Sequence, residues 1–284
     1  LLVDTTPIPS HFEVNLAGLQ AGRHVYTQKP MTTTVEEATV LIEEAKQRDL
    51  KLGCAPEHTV RPLIRQIKAL IAEGAIGQVA FAKVKSSHDG PEKHDVPRDS
   101  TWYYQPGSSP ILDMGVHGLN QITSILGPAR RLASFSGRNV PTREILAGPY
   151  RGKTIEVNID DNSLLLLDFG DDRFVFLDAT YCVMASMGPR MEIYGSEGTI
   201  AVSGDRRDAR PLHLYRLETM EWTQPEVTPA PPVRDLGVLH MVDCLIVDKP
   251  LELTGEHGRH LVEIMTRAPQ AATEGTTIEL ETTF

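Results

Sequence analysis

The chain has 284 residues, of which 40% are hydrophobic, so it is long enough to form two domains with a sizeable core. It carries 28 Lys and Arg against 38 Asp and Glu, a formal net charge of -10 at pH 7 without an extended basic cluster, which argues against binding to a nucleic-acid backbone. No stretch approaches the roughly 18 apolar residues that a membrane-spanning helix requires, and no signal peptide is visible. Neither nucleic acid nor a membrane is an expected partner.

The cysteines give no sign of a disulfide framework or a metal site. Cys54, Cys182 and Cys244 are far apart in the sequence, lie in apolar contexts and share no metal-binding or redox spacing. This usage indicates reduced core residues of a cytoplasmic protein.

Through residue 55 the hydrophobic pattern alternates between strand and helix, which is typical of a parallel sheet. Ser10 with Glu13, and Thr34 with Glu37, have the spacing of capping boxes at two helix starts. Gly22 is placed to end the first helix. The predicted strands cover residues 1–6, 24–27 and 50–55, and the predicted helices cover residues 10–21 and 35–47.

Beyond residue 55 the pattern changes to one dominated by strands. An amphipathic helix is predicted over 59–73, and turns at 170–172 and 195–198 predict hairpins, so the second sheet should be largely antiparallel. The Pro-rich segment 223–235 is interpreted as a surface loop. Further helices are predicted over 234–247 and 256–272, and strands over 79–87, 131–138, 163–170, 173–183, 190–196, 198–204 and 211–217.

Two short segments contain the residues best suited to catalysis, HVYTQKP at 24–30 and ILDMGVHGLN at 111–120. The first places Lys29 at the carboxyl end of a strand, the edge at which open α/β sheets bind ligands. The second places Asp113 and His117 four residues apart at the start of an apolar helix, and therefore on one face. A histidine base, an ammonium that stabilises an alkoxide and an orienting carboxylate suit hydride removal from a secondary alcohol.

Each of these residues also has a simpler interpretation. A lysine before proline is usually a solvated loop charge, and an aspartate at a helix start is commonly an N-cap. A single histidine on a half-apolar helix is more often packed than catalytic. Taken singly, Lys29, Asp113 and His117 do not establish an active site.

The order of motifs along nearly the whole chain resembles the glucose–fructose oxidoreductase, inositol dehydrogenase and rhizopine-catabolism (Gfo/Idh/MocA) family. The family's T-P-x-x-x-H loop and its G-K-H-V-x-x-E-K-P segment are matched by Thr6, Pro7, His11, Gly22, His24, Val25, Lys29 and Pro30. Its later motifs are matched by DMGVH at 113–117, MEIYGSEGTI at 191–200 and the closing segment 258–280.

This resemblance implies a fold, a cofactor and a reaction. Residues 1–56 correspond to the C-terminal half of a Rossmann-type dinucleotide-binding domain, without its Gly-rich loop. Residues 57–284 correspond to an α+β domain for substrate binding and oligomerisation, with a large, mostly antiparallel open sheet flanked by helices. The implied activity is hydride transfer between NAD or NADP and a sugar, inositol or related polyol.

The resemblance, read together with the positions of polar residues, also yields candidate site residues. Lys29, Asp113 and His117 are the expected catalytic residues, and no metal ligand is expected. Glu57 and His58 follow the third strand, where nicotinamide would lie. A polar segment with His88, Asp89, His94 and Asp95, followed by Trp102, Tyr103 and Tyr104, could line a polyol site or be an ordinary loop. The expected cofactor-binding residues are Thr6, Pro7, His11, Gln28, Lys29, Pro30 and His58, and the expected substrate-binding residues are Lys29, His88, Trp102, Asp113 and His117.

Two features depart from the family pattern. Gln28 stands where most members have glutamate, which removes a charge beside Lys29. No G-x-G-x-x-G occurs, although a Rossmann unit needs that turn to bind pyrophosphate, and the chain is therefore expected to be a fragment that lacks the first part of its domain. The choice between NAD and NADP depends on a residue in that part.

The predicted strands at 164–169 and 174–183 are apolar enough to pack against a second subunit. In the resembling family one sheet face packs against a second subunit, so a homodimer or homotetramer through this sheet is expected.

Two other functions remain open from the sequence. A metal-dependent sugar isomerase could assemble a divalent site from His58, His88, His94, Asp113 and His117, although the hairpin-rich second half contradicts its usual barrel fold. A non-catalytic binding or scaffold protein of the same fold would be consistent with Gln28 and the missing glycine loop.

Overall fold

A computed structural model describes residues 1–205, 207–231 and 235–284. The predicted Pro-rich loop and the predicted start of a helix at residue 234 fall partly outside the described residues.

The N-terminal part is a three-stranded parallel sheet with strand order β1-β2-β3, which confirms the predicted parallel pairing. Helices connect successive strands, as the alternating pattern predicts. The elements are β1 (Leu2–Asp4), α1 (His11–Gln20), β2 (Val25–Thr27), α2 (Val35–Gln47) and β3 (Leu52–Cys54).

The two predicted capping boxes have different outcomes. At the start of α2 the Thr34 hydroxyl accepts a hydrogen bond from the backbone N–H of Glu37, as predicted. At the start of α1 the prediction is wrong, because Ser10 ends a short 3-10 turn, has helical backbone angles and makes no capping bond. Gly22 follows the end of α1 with φ of +71°, the left-handed conformation that favours glycine.

The remainder of the chain forms helices around a large sheet. The helices are α3 (Pro62–Ala72), α4 (Val116–Leu126), α5 (Leu236–Ile246) and α6 (Gly255–Glu274). The strands are β4 (Val79–Lys85), β5 (Arg131–Gly137), β6 (Thr142–Glu144), β7 (Thr154–Glu156), β8 (Asn162–Asp168), β9 (Phe174–Thr180), β10 (Met191–Gly195), β11 (Gly198–Val202), β12 (Leu212–Arg216), β13 (Glu221–Thr223) and β14 (Ile278–Glu279).

The large sheet has nine strands in the order β13-β12-β11-β10-β4-β9-β8-β5-β14. Each neighbouring pair is antiparallel except β4 and β9, which run parallel at its centre. The predicted hairpins at 170–172 and 195–198 are confirmed, since β8 pairs with β9 and β10 with β11. The sequence patterns did not indicate β6, β7 or β13, which are three-residue strands with mostly polar residues and hence a weak apolar alternation.

The large sheet buries one face and exposes the other. Side chains such as Leu165 and Leu177 belong to the main core, together with apolar residues of α4 and α6. The alternating side chains on the opposite face remain exposed because successive residues of a strand point to opposite sides. They include Phe81, Phe135, Leu164, Leu166, Phe174 and Phe176.

The C-terminal helices return to the N-terminal sheet. Gly53 of β3 forms a bridge with Thr254, just before α6, and the Cys54 N–H donates to the Leu253 carbonyl over 3.2 Å. Helix α3 starts at Pro62, later than predicted, because a 3-10 turn occupies His58–Val60. The division into domains at 1–56 and 57–284 stays a prediction, and α6 packs across it.

The described residues contain no helix with both the length and the apolarity needed to cross a bilayer. The three cysteines are unpaired, with Cys54 and Cys244 buried and Cys182 half-buried.

Candidate active site

Lys29 and Asp113 form the centre of the candidate site. Lys29 follows β2, and its Nζ lies 2.7 Å from the Asp113 backbone carbonyl oxygen and 3.2 Å from Asp113 Oδ1. Asp113 lies in a five-residue π-helical turn, Ile111–Gly115, and α4 starts only at Val116. Asp113 therefore does not act as a helix N-cap, and the expected single α-helix through Asp113 and His117 begins with a wider turn.

Tyr181 is a component of this site that the sequence did not indicate. It is fully buried just after β9, and its hydroxyl donates a hydrogen bond to Asp113 Oδ2 over 3.1 Å. Burial, followed by the nearby Asp113 charge, raises the Tyr181 pKa, so the hydroxyl stays protonated and remains a donor. The two Asp113 carboxylate oxygens thus have one donor each, Lys29 and Tyr181.

His117 forms a pair with His58. His117 Nδ1 and His58 Nε2 lie 3.1 Å apart, and the ring planes are close to perpendicular. Burial and then the Lys29 charge lower the His117 pKa to about 4, while burial and then His117 lower the His58 pKa to about 3. Both imidazoles are therefore neutral near pH 7, and a neutral imidazole can accept a proton.

A cavity of about 960 Å³ lies along the carboxyl ends of β1 and β2. Its wall brings together several of the predicted residues: Thr6, Pro7, His11, Gln28, Lys29, Trp102 and Asp113. It also includes residues that were not predicted, such as Arg98, Gln105 and Lys153. Within the described part of the chain this wall does not include Pro30, His58, His88 or His117.

His11 and Thr6 stabilise the loop between β1 and α1. The two His11 ring nitrogens face the carbonyl oxygens of Pro30 and Thr6 at 2.7 and 2.9 Å. Thr6 donates its N–H and its hydroxyl to Asp4 Oδ1. The other oxygen, Asp4 Oδ2, is buried and has no hydrogen-bond partner among the described residues.

His88 lies next to Tyr181 rather than in the cavity wall. The two ring centroids are 5.1 Å apart, and His88 Nδ1 accepts a hydrogen bond from the Gly90 N–H. Within the described residues, potential metal-binding atoms cluster only in His88, Asp89 and His94. The five-residue metal site of the isomerase hypothesis is therefore not assembled, because His58 and His117 form a separate pair.

Lys29 lies at the carboxyl edge of the parallel sheet, with a carboxylate and a neutral histidine beside it. This arrangement is typical of the class of nucleotide-binding oxidoreductases. The family described as "Oxidoreductase family, NAD-binding Rossmann fold" matches residues 2–55, and "GFO/IDH/MocA C-terminal domain" matches residues 64–201. The chain belongs to the GFO/IDH/MocA family of oxidoreductases, as its motifs predicted.

Characterised relatives are distant in sequence. Scyllo-inositol 2-dehydrogenase (NADP(+)) IolW of Bacillus subtilis (strain 168) is 23% identical over 99% of this chain and 79% of its own length. Levoglucosan dehydrogenase of Pseudarthrobacter phenanthrenivorans is 24% identical over 72% of this chain and 55% of its own length. A solved levoglucosan dehydrogenase in complex with NADH shares the fold, with a TM-score of 0.78 and 18% identity over 99% of this chain and 79% of that chain.

Proposed function

We propose that this protein transfers hydride between NAD or NADP and a sugar, inositol or related polyol. The observation that carries the proposal is the Lys29–Asp113 pair in the wall of a large cavity at the carboxyl edge of the parallel sheet. The relatives named for inositol and levoglucosan support a polyhydroxylated substrate.

The residues at the sheet edge fit a nicotinamide cofactor. Thr6, Pro7 and Gln28 line the cavity where β1 and β2 end, and the unpartnered Asp4 Oδ2 lies at the same edge. We assign cofactor binding to these residues, with His58 as a further candidate beside the third strand. When bound, the nicotinamide accepts or donates the hydride.

Each catalytic residue has a proposed role that follows from its contacts. Lys29 donates a hydrogen bond to the reacting oxygen and stabilises the alkoxide that forms as the hydroxyl proton leaves. Asp113 orients Lys29, and Tyr181 fixes the Asp113 carboxylate from its other side. His117, neutral and next to this pair, accepts the hydroxyl proton.

The cavity wall supports binding of a polyol beside these groups. Trp102 and Tyr103 supply aromatic surface, while Gln105, Arg98 and Lys153 supply polar groups. Such a mixture of apolar surface and a few polar groups is typical of small-molecule sites. We propose that Trp102 contacts the substrate. We propose that His88 contributes to the substrate site through its contact with the Tyr181 ring.

The proposal is tested by nicotinamide absorbance with a panel of sugars and polyols, using full-length enzyme. Lys29→Met should lower kcat more than it raises KM, because its contact strengthens in the transition state. His117→Asn should lower turnover by roughly 10²–10⁴-fold with cofactor affinity nearly unchanged. Lys249→Met, which alters an exposed lysine after α5, is the matched control and should leave turnover unchanged.

Two results would contradict the proposal. Activity that a chelator abolishes and that survives Lys29→Met would indicate the metal-dependent isomerase instead. Cofactor binding without turnover on any sugar or polyol would indicate the non-catalytic scaffold.

We also propose that a second copy of the chain covers the exposed face of the large sheet. Phe135 is 82% exposed, and Leu166, Phe174 and Phe176 extend the same apolar face over neighbouring strands. A contiguous apolar surface of this kind is typical of subunit interfaces. Light scattering should report a dimer or tetramer, and Leu166→Lys should shift it towards the monomer. A monomeric wild type contradicts this assignment.

We propose a cytoplasmic location from the unpaired cysteines, Cys54, Cys182 and Cys244. Cell fractionation with an antibody tests it, and recovery from an extracellular fraction contradicts it.

A further inference from the structure

A second cavity lies on the other side of the His58–His117 pair. It has a volume of about 380 Å³, and its wall includes His58, Gln121, Arg61, Arg190 and Asp208. Neither Lys29 nor Asp113 belongs to this wall, and His58 does not belong to the wall of the larger cavity. His58 therefore connects His117, which lies beside the Lys29–Asp113 centre, to a separate cavity.

The contacts form a continuous chain of hydrogen-bonding atoms. His117 Nδ1 is 3.1 Å from His58 Nε2, and His58 Nδ1 is 3.5 Å from Gln121 Nε2, the amide nitrogen. Within the described residues His117 Nε2 makes no hydrogen bond, so under the proposed function it is the nitrogen that accepts the substrate proton. Each imidazole can thus accept a proton on one ring nitrogen and release one from the other.

We propose that His58 is a proton relay, which moves the proton taken up by His117 to the second cavity. This inference rests on the proposed function, since alcohol oxidation releases one proton for each hydride transferred.

The step balances as follows. The substrate O–H bond breaks and its proton binds His117 Nε2, while the hydride leaves the carbon for the nicotinamide. The Nδ1 proton of His117 passes to His58 Nε2, and the Nδ1 proton of His58 passes to water at the second cavity. One proton leaves and both imidazoles end neutral.

Gln121 provides the direction of the relay. In the structure its amide nitrogen faces His58 Nδ1 and donates a hydrogen bond to it. When the amide is turned over, its oxygen accepts a hydrogen bond from the Nδ1–H of His58, the tautomer required for oxidation. With the nitrogen presented, His58 carries its proton on Nε2 and His117 carries its proton on Nε2, ready to protonate a carbonyl oxygen in the reverse reaction. Rotation of the Gln121 amide therefore exchanges the two tautomers.

The residues around His58 and His117 disfavour an imidazolium at either position, so neither ring keeps an added proton. The charged groups that act on the pair are Lys29, Asp113, Glu57, Arg61 and Arg190. Three of these are cations, and burial adds to their effect by disfavouring an imidazolium. The lowered pKa of each histidine means that a proton on either ring is released quickly.

The test compares His58→Gln with wild type at increasing imidazole concentration in the oxidation assay. Loss of the relay should lower kcat by about tenfold or more, less than the roughly 10²–10⁴-fold contribution of a direct acid–base group. Wild-type kcat should be independent of imidazole, whereas kcat of His58→Gln should rise with imidazole towards the wild-type value. Cofactor KM should change little.

Controls separate a relay from a packing effect. His24→Gln, which alters a histidine just before β2 and outside both cavity walls, should behave as wild type. Gln121→Leu keeps both imidazoles and removes the amide that contacts His58 Nδ1, so it should show a smaller loss of kcat with the same imidazole rescue. This second variant decides the matter if His58→Gln fails to fold.

Three outcomes overturn the inference. Full turnover of His58→Gln without imidazole removes His58 from the proton path while leaving the proposed function intact. A loss of kcat that imidazole does not restore in either variant assigns a structural role to His58. Wild-type enzyme without turnover on any polyol overturns the proposed function and the relay with it.

Discussion

Arg143 should be one of the most important single residues for stability. It lies on β6 and donates to Glu92 Oε1 over 2.9 Å and to Asp161 Oδ2 over 2.7 Å. The three side chains are only 3%, 2% and 0% exposed. Glu92 also accepts a hydrogen bond from the Tyr104 hydroxyl. The preceding residue, Tyr103, lines the large cavity. One guanidinium therefore compensates two buried carboxylates and fixes part of the cavity wall.

Arg143→Met keeps much of the side-chain volume but removes that compensation. Breaking a buried ion pair by removal of one partner costs about 3–5 kcal/mol, because the remaining charge is buried without a partner. We expect a loss of about this size, a large share of the roughly 5–15 kcal/mol that stabilises a typical protein. Asp161 loses Arg143, whereas Glu92 keeps Lys93, whose Nζ lies 3.6 Å from Glu92 Oε1. The KM for substrate should also rise, because the segment with Tyr103 and Tyr104 is released.

Urea unfolding followed by circular dichroism measures this loss as a shift in midpoint. The matched control is Arg131→Met, since Arg131 is 51% exposed and its Nε lies 2.6 Å from Asp168 Oδ2. An exposed pair contributes about 0–1 kcal/mol, so the control should unfold near the wild-type midpoint. Equal shifts for Arg143→Met and Arg131→Met would refute the argument that burial makes the first pair costly to break.

Three further predictions follow from single sites. A Cβ at Gly237 would lie 1.8 Å from the Tyr26 hydroxyl, so Gly237→Ala should lower the melting temperature although alanine has the better helix propensity. An unchanged melting temperature would show that α5 can shift to make room. Burial lowers the His257 pKa from 6.5 to about 3, so between these pH values the folded state binds fewer protons than the unfolded state. The contribution of His257 to stability should be complete above pH 6.5 and should decrease as the pH falls towards 3. The free energy of unfolding should therefore fall more steeply with acid in wild type than in His257→Gln, and equal slopes would contradict this. The lowered His117 pKa keeps its imidazole neutral down to about pH 4, so kcat/KM for oxidation should lose activity on the acid side near pH 4, and a limb near pH 6.5 would exclude His117 as the base.

Elements with strong local patterns could be predicted from the amino-acid sequence. The alternation of strand and helix through residue 55 predicted the parallel sheet, and the turns at 170–172 and 195–198 predicted the hairpins of the large sheet. Lys29 and Asp113 could be singled out because each lies in a short motif at the end of a predicted element. Local signals were too weak at Ser10, where an overlapping 3-10 turn replaced the predicted cap.

Which of the candidate residues contact one another depends on tertiary packing. Tyr181 lies in an apolar strand pattern, and its contact with Asp113 spans 68 positions along the chain. The contact of His58 with His117 spans 59 positions. Neither contact leaves a periodic or motif signal, because each depends on how β9, α4 and the turn after β3 pack together. The His58–His117 pair depends on that packing, and so do the walls of the two cavities.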